Sequence, residues 1–333
     1  MKLRAGIIGL GVGEAHIAGY ESHPLCEVTH LCDFSDEKMA EAKRKYPHCV
    51  VEKDANAILD NPAIDVVSIA SYDNFHHEQI VKAIRNGKHV FVEKPLCLFE
   101  KEAAEIRKLL REHPQVRLSS NLILRSSPRF RRLKQLIQQG DFGTLFSIDG
   151  SYLYGRLHKI TEGWRGSLDY YSVILGGAVH IIDLMTWLSS DQVEEVKAYG
   201  NQIASAGSQF RYDDFSDAIL KFKSGMIGRV SANFGCVHPH FHSFSIYGTQ
   251  ATFLNARPDG VLYRSSDPQV LPEPVTEEYP GVKKGDLIRN FIESLIGEAK
   301  PEVTAEDVFN TMSICFAIEK AIKTNSTVKV DYL

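Results

Sequence analysis

Two patterns of apolar positions divide this chain. From residue 2 to about 121, short apolar runs alternate with amphipathic stretches. The runs at 4–9, 28–33, 65–71, 89–93 and 116–121 have the length and residue types of strands, and 14–22, 35–45, 76–86 and 99–112 read as helices. In the last of these, Ala103, Ile106, Leu109 and Leu110 share one face at helical spacing. Strands alternating with helices predict right-handed crossovers and a parallel sheet covered on both faces. The expected fold class is therefore α/β, with an N-terminal doubly wound domain over residues 1–121 whose ligands gather at the carboxyl ends of its strands.

Beyond that point the period changes. One helix, 128–139, carries Phe130, Leu133, Leu136 and Ile137 as its apolar positions. Longer alternating runs follow at 146–154, 218–222 and 226–234, the last two joined by the hairpin signal Lys223-Ser224-Gly225. A further pair, 243–248 and 251–255, flanks Gly248-Thr249. These predict an α+β domain over 122–333 with a large, open, mainly antiparallel sheet. Near the carboxyl end Ile288, Phe291, Ile292, Leu295 and Ile296 form an apolar stripe, and Thr304-Ala305-Glu306-Asp307 resembles a capping box opening a helix to about Lys323. A short strand is expected at 328–330, and the C-terminal helix is expected to pack back on the first domain.

Composition narrows the classes of partner. A net charge of −4 gives no support to a nucleic-acid or anionic-membrane partner. No apolar run approaches the ~20 residues needed to span a bilayer, and the chain enters its first strand directly, so a cytoplasmic protein is expected. Six cysteines without CxxC spacing read as buried small hydrophobes in a reducing compartment.

Candidate chemistry begins at Gly9-Leu10-Gly11-Val12-Gly13, between the first strand and the first helix. Glycine there permits a tight turn and lets backbone N–H groups approach a pyrophosphate at a helix N-terminus. The usual spacing is G-x-G-x-x-G; here the third glycine comes one position early, with Glu14 in its customary place. Asp33 ends the second strand about twenty residues after Gly11, where a carboxylate accepts both ribose hydroxyls of an adenosine and repels a 2′-phosphate. NAD is expected and NADP disfavoured. A helix N-cap is the bland alternative for Asp33. Glu93-Lys94-Pro95, behind a later strand of the same domain, adds a cation where a nicotinamide would lie.

In order and spacing these pieces resemble the glucose-fructose oxidoreductase / inositol dehydrogenase / MocA family over essentially the whole chain. The carriers are Gly9-Leu10-Gly11, Ala70-Ser71-Tyr72-Asp73-Asn74-Phe75-His76, Gly87-Lys88-His89-Val90 leading into Glu93-Lys94-Pro95, Trp164-Arg165, and Gly177-Ala178-Val179-His180-Ile181-Ile182-Asp183. The resemblance implies a Rossmann domain followed by an open-sheet domain, and a homodimer or homotetramer. It implies hydride transfer between NAD and a secondary hydroxyl or ketone of a sugar, cyclic polyol or sugar nucleotide. Lys94 would stabilise a developing alkoxide, and Pro95 would follow a cis peptide. His180 would exchange the hydroxyl proton, a task suited to an imidazole. Val12, Ser71, His76 and Glu93 complete the expected cofactor contacts with Gly9, Gly11, Gly13, Asp33, Lys94 and Pro95.

A helix over 177–188 would place His180, Asp183, Leu184 and Trp187 on one face. Asp183 is then a candidate to orient the imidazole or bind a substrate hydroxyl; a buried histidine with its partner is the alternative. The family's aspartate four positions before the histidine is Gly176 here, and Tyr171 or Asp183 stands as its substitute. Tyr152, Tyr154, Arg156 and Trp164-Arg165 suit a polyhydroxylated ligand, with Tyr152, Arg165 and Tyr171 the expected substrate contacts beside Lys94 and His180; sheet packing is their alternative. His238-Pro239-His240-Phe241-His242 lacks acidic or cysteine ligands, so no metal is expected, and His238 or His240 reads as a substrate-contacting loop. His76 either contacts the nicotinamide region or packs at its helix N-terminus. Arg125, Arg129, Arg131 and Arg132 read as a solvated helix face or interdomain salt bridges. Two rival functions use the same residues: a non-catalytic NAD-binding sensor, and an oxidoreductase that recycles a tightly bound cofactor.

Overall fold

The computed structural model describes residues 2–333. The chain forms two compact units: one holds residues up to Ile123 together with Val282–Asn310, the other Leu124–Gly281 and Thr311–Tyr332.

In the first unit, β1 (Leu3–Ile8), β2 (Cys26–Cys32), β3 (Val50–Glu52), β4 (Val66–Ile69), β5 (His89–Val92) and β6 (Leu118–Ser120) alternate with α1 (Glu14–Glu21), α2 (Asp36–Lys45), α3 (Asn56–Leu59), α4 (His76–Arg85) and α5 (Glu100–Glu112). The strands are parallel in the order β3-β2-β1-β4-β5-β6. That is the doubly wound Rossmann arrangement, whose order reverses between β1 and β4. The central strands are apolar on both faces because helices cover both: Val66, Val67, Ile69, Val90, Phe91 and Val92 have no exposed surface. The helix Asp286–Leu295 joins this unit against α1. The contact is close because neither side has a side chain in the way: a Cβ on Gly19 would lie 2.5 Å from the carbonyl oxygen of Gly285. The capping box forms as expected, with Thr304 Oγ1 accepting from the Asp307 N–H and Asp307 accepting from the Thr304 N–H.

The second unit is built on β7 (Leu145–Leu153), β8 (Val193–Asn201), β9 (Phe215–Phe222), β10 (Ile227–Asn233), β11 (Phe241–Gly248), β12 (Thr252–Asn255), β13 (Gly260–Tyr263), β14 (Glu273–Val275) and β15 (Val328–Lys329). They form one nine-stranded sheet in the order β14-β13-β12-β11-β7-β10-β9-β8-β15. Only β7 and β10 pair in parallel. One face is covered by α6 (Pro128–Gln138) and α8 (Val179–Ser189), the short α7 (His158–Thr161) lying between them in sequence. Strand β8 escaped the sequence reading because its run of charged residues, Glu194, Glu195 and Lys197, masks the alternation of buried Val193, Val196 and Ala198. The helix expected from 177 instead begins with a π-helical turn, Ile174–Ala178, and becomes α-helical at Val179. Of the arginines after residue 124, Arg131 is exposed and Arg132 half-buried, as expected of a solvated face, but Arg125 and Arg129 are not. Arg129 is fully buried and donates to the carbonyl oxygens of Glu277, Ala256 and Pro258 and to Asn255 Oδ1, while Arg125 is buried against Asp183.

Candidate active site

At the carboxyl ends of β1, β2, β4 and β5 the first unit gathers the glycine turn, Asp33, Ser71 and Lys94. Gly9 has φ +90°, and a Cβ there would lie 2.3 Å from the carbonyl oxygen of Ala70, so the turn requires glycine twice over. A Cβ on Gly13 would strike the Gly9 carbonyl oxygen at 2.3 Å. Gly11 differs: nothing lies within 4 Å of its Cβ position, and that open space is where a phosphate can meet the backbone. Asp33 Oδ2 accepts the Leu10 N–H at 2.7 Å and Oδ1 accepts the Ser35 N–H at 2.9 Å, so the carboxylate ties the second strand to the turn. Val12 is exposed beside Gly11, and Glu14 turns away to pair with Lys45 at 2.9 Å. An open glycine cradle with a carboxylate at its edge fits a dinucleotide.

Lys94 follows β5 and is half-buried, and the Lys94–Pro95 peptide is cis. Glu93 is placed differently from a cofactor contact. It is buried, accepts from Asn121 Nδ2 at 2.6 Å, and lies 3.1 Å from His16 Nε2, whose Nδ1 is 2.7 Å from Ser68 Oγ. Burial alone would raise the Glu93 carboxyl, but Lys284, His16 and Asn121 hold it well below the usual carboxylate range. His76 is likewise corrected to a brace. It is fully buried, with Nδ1 2.7 Å from the Pro95 carbonyl oxygen and Nε2 3.2 Å from that of Ser71. It thereby joins the turn after β4 to the turn that carries Lys94. Ser71 donates its hydroxyl to Gln79 at 2.8 Å.

In the second unit the candidate residues converge on one face of the sheet. Tyr152 on β7 has its ring centroid 6.2 Å from that of His180 on α8, nearly parallel, 5.0 Å from His240 and 5.4 Å from His242. His180 and His242 stand 6.3 Å apart, edge to face. Sequence reading weighed His242 only as part of a histidine run without metal-ligand company, and missed Tyr279. The Tyr279 hydroxyl lies 2.7 Å from His242 Nδ1 and also accepts the His242 backbone N–H at 2.8 Å, which fixes the ring. Burial pushes the Tyr279 phenol up to about 12. No local signal in the sequence pointed to this pairing, because only the register of the folded sheet sets His242 opposite Tyr152.

Tyr171 and the π turn occupy the next space. A Cβ on Gly177 would lie 2.5 Å from the Tyr152 ring, so this glycine lets α8 press His180 against the aromatic cluster. Tyr171 is buried, its ring against Phe210 and Phe234 and its hydroxyl against Gly176. Arg165 stacks over Trp164 at 4.5 Å and is half-buried. Asp183 is held by a buried arginine. It has no exposed surface, and Arg125 holds both its oxygens, with Nη2 at 2.6 Å and Nε at 3.1 Å from each. His240 Nδ1 lies 3.0 Å from the Leu153 carbonyl oxygen, and His238 remains largely outside the cluster, 2.6 Å from the Pro239 carbonyl. Among the described residues no group of three or more His, Cys, Asp or Glu side chains is arranged to hold a metal ion. No helix among them is long and apolar enough to cross a membrane.

Comparison with known proteins covers both units. Residues 3–121 match the oxidoreductase family described as an NAD-binding Rossmann fold, and residues 130–254 match the GFO/IDH/MocA C-terminal domain. The chain is 24% identical to the myo-inositol 2-dehydrogenase of Thermotoga maritima, over 99% of each chain. Among solved structures it is similar to a levoglucosan dehydrogenase in complex with NADH and L-sorbose, with a TM-score of 0.86 at 22% identity over 99% of both chains. It is also similar to the scyllo-inositol dehydrogenase of Lactobacillus casei with bound NAD(H) and scyllo-inositol, with a TM-score of 0.81 at 20% identity over 99% of both.

Proposed function

This chain belongs to the Gfo/Idh/MocA family of oxidoreductases, and we propose that it uses NAD to oxidise a secondary hydroxyl of a sugar or cyclic polyol, or runs the reverse reduction. The observation that carries this reading is the ring cluster of Tyr152, His180 and His242 on a chain that also has the open Gly11 cradle and Asp33. Aromatic faces pack on the C–H faces of a polyol, and imidazoles exchange its hydroxyl protons.

When bound, the nicotinamide supplies the hydride acceptor or donor. Gly9, Gly11 and Gly13 would receive the pyrophosphate, with Val12 beside it, and Asp33 would accept the ribose hydroxyls and disfavour a 2′-phosphate. Lys94, at the end of β5, would hold the substrate oxygen and stabilise the charge that grows on it as the hydroxyl proton leaves. His180 would take that proton at an imidazole nitrogen and return it in the reverse direction. Tyr171 stands in for the carboxylate that Gly176 does not provide, because its hydroxyl reaches the same place on the helix. Tyr152, Arg165 and His242 would shape the pocket and choose among hydroxyl patterns. Asp183 acts one step removed, by anchoring α8 through Arg125.

Assembly belongs to the same proposal. Tyr199, Ile219 and Ile227 are exposed on the face of β8–β10 opposite the buried Ala198, Ala218 and Val230. These apolar side chains are interspersed with Lys197, Asp217, Lys221 and Arg229 on an open sheet face, through which the proposed homo-oligomer would be joined.

The test is reduced-nicotinamide absorbance over time, with NAD and with NADP, across inositols and free sugars, for wild type and Lys94→Ala. Turnover with NAD that vanishes in the variant is expected. Saturable NADH binding without turnover on any polyol would replace the enzyme reading with a sensor.

A further inference from the structure

We propose that a polar cavity in the Leu124–Gly281 and Thr311–Tyr332 unit binds a small polyhydroxylated molecule, at a site separate from the cluster around His180. The cavity has a volume of about 250 Å³ and is walled by Tyr170, Arg211, Asp213, Ser216, Glu319 and Ile322. Register gives its position. His242, Tyr152, Ala232 and Ser216 are successive partners across β11, β7, β10 and β9, so Ser216 lies two strands, about 10 Å, from Tyr152 on the same sheet.

Ser216 is the observation that points to a ligand. It has no exposed surface, and its backbone lies in a strand paired on both sides, with β8 and β10, so its side chain is what meets the cavity. Among the described residues, its hydroxyl has no hydrogen-bond partner. Buried hydroxyls are bonded in nearly all proteins, and leaving one unbonded is costly. One water does not account for the space, since a water's share of liquid volume is only ~30 Å³.

The other walls define the ligand's chemistry. Glu319 accepts from Tyr170 at 3.0 Å through one oxygen and from Ser172 through the other, which aligns its remaining lone pairs. Asp213 adds a second acceptor and Arg211 a donor, while Ile322, Val173 and Ile174 supply an apolar surface. An anion would meet two carboxylates. A bare metal cation would leave Arg211 and the apolar wall without a role. A polyol or monosaccharide uses every part: its hydroxyls donate to the carboxylates, accept from the guanidinium and bond Ser216, and its C–H face lies on the isoleucines. The cavity is smaller than the ~300–1,000 Å³ typical of drug-sized sites, which suits a single ring. Tyr171 also lines it, so an occupant would touch the residue whose hydroxyl abuts Gly176.

Calorimetric titration of the full chain with myo-inositol and with D-glucose tests this. The His180→Ala chain, with the proposed catalytic cluster impaired, is expected to keep binding at least one of the two. Ser216→Val, and separately Ile322→Trp, which fills the cavity from the helix side should Ser216→Val fold poorly, are expected to raise that Kd about tenfold or more. Unchanged affinity in both cavity variants, or no binding to the His180→Ala chain, overturns the proposal. Binding here needs no turnover, so an inactive chain that still binds defeats the proposed enzyme function and leaves this site standing.

Discussion

The hydroxyl of Tyr171 occupies the space into which a side chain at Gly176 would grow: a Cβ at position 176 would lie 2.2 Å from the Tyr171 oxygen and 2.8 Å from the ring carbon that bears it. The two residues are therefore alternatives at one point of the helix that leads to His180. Gly176→Ala is expected to cost about 1–3 kcal/mol, the usual penalty for overfilling a packed site. In a Tyr171→Ala background the same change should cost much less. Denaturant unfolding of wild type, the two single variants and the double variant measures the coupling, and additive effects would show that the two residues are independent.

His180 and His242 should separate kinetically. His180→Asn is expected to lower kcat by about 100- to 10,000-fold, the range for losing a positioned acid–base group, with NADH affinity nearly unchanged. Tyr279→Phe leaves His242 in place but removes the hydroxyl 2.7 Å from its Nδ1. It should raise KM for the polyol more than it lowers kcat. Steady-state kinetics with a pH profile checks both, and a pH profile unaltered by His180→Asn would remove its proton-transfer role.

The Arg125–Asp183 pair carries structure. Both residues are buried, so Arg125→Leu strands a carboxylate without its counter-charge and should destabilise the fold by about 3–5 kcal/mol. The double variant Arg125→Met/Asp183→Leu should recover most of that loss. Thermal melts of the three proteins decide it. A double variant as unstable as Arg125→Leu would mean that the ion pair itself, not the avoidance of an unpaired charge, holds α8.

Glu93 predicts an acid limb. Its folded pKa lies below its unfolded value, so the ionised carboxylate stabilises the fold above the unfolded pKa of about 4.3, and that contribution disappears as pH falls through the folded pKa. Wild type should lose stability below about pH 5 more steeply than Glu93→Gln. Parallel curves for the two proteins in acid would place the pH dependence elsewhere.

How much was legible in the sequence depended on how local its cause was. The parallel sheet followed from alternating elements, and the glycine turn and Asp33 followed from spacing along one crossover, because a turn and the strand beside it are close in the chain. The capping box at Thr304 and the hairpin at Gly225 were readable for the same reason. What failed involved distant partners. Arg125 looked solvated because nothing near it in the chain shows that Asp183 closes on it. His76 and Glu93 looked like ligand contacts until Pro95, His16 and Asn121 claimed their polar atoms.

The sequence by itself determined the architecture and the glycine turn, and put Lys94 and His180 forward as candidates, since period, glycine spacing and short motifs are written in neighbouring residues. Only the tertiary structure decided which side chains keep His180 company. Sheet register set His242 opposite Tyr152, Tyr279 came from more than thirty residues away to fix that histidine, and a π turn of small residues let Tyr171 take the space beside Gly176. Register and helix packing are settled by the burial of a whole face at once, and no local stretch of the chain contains that information.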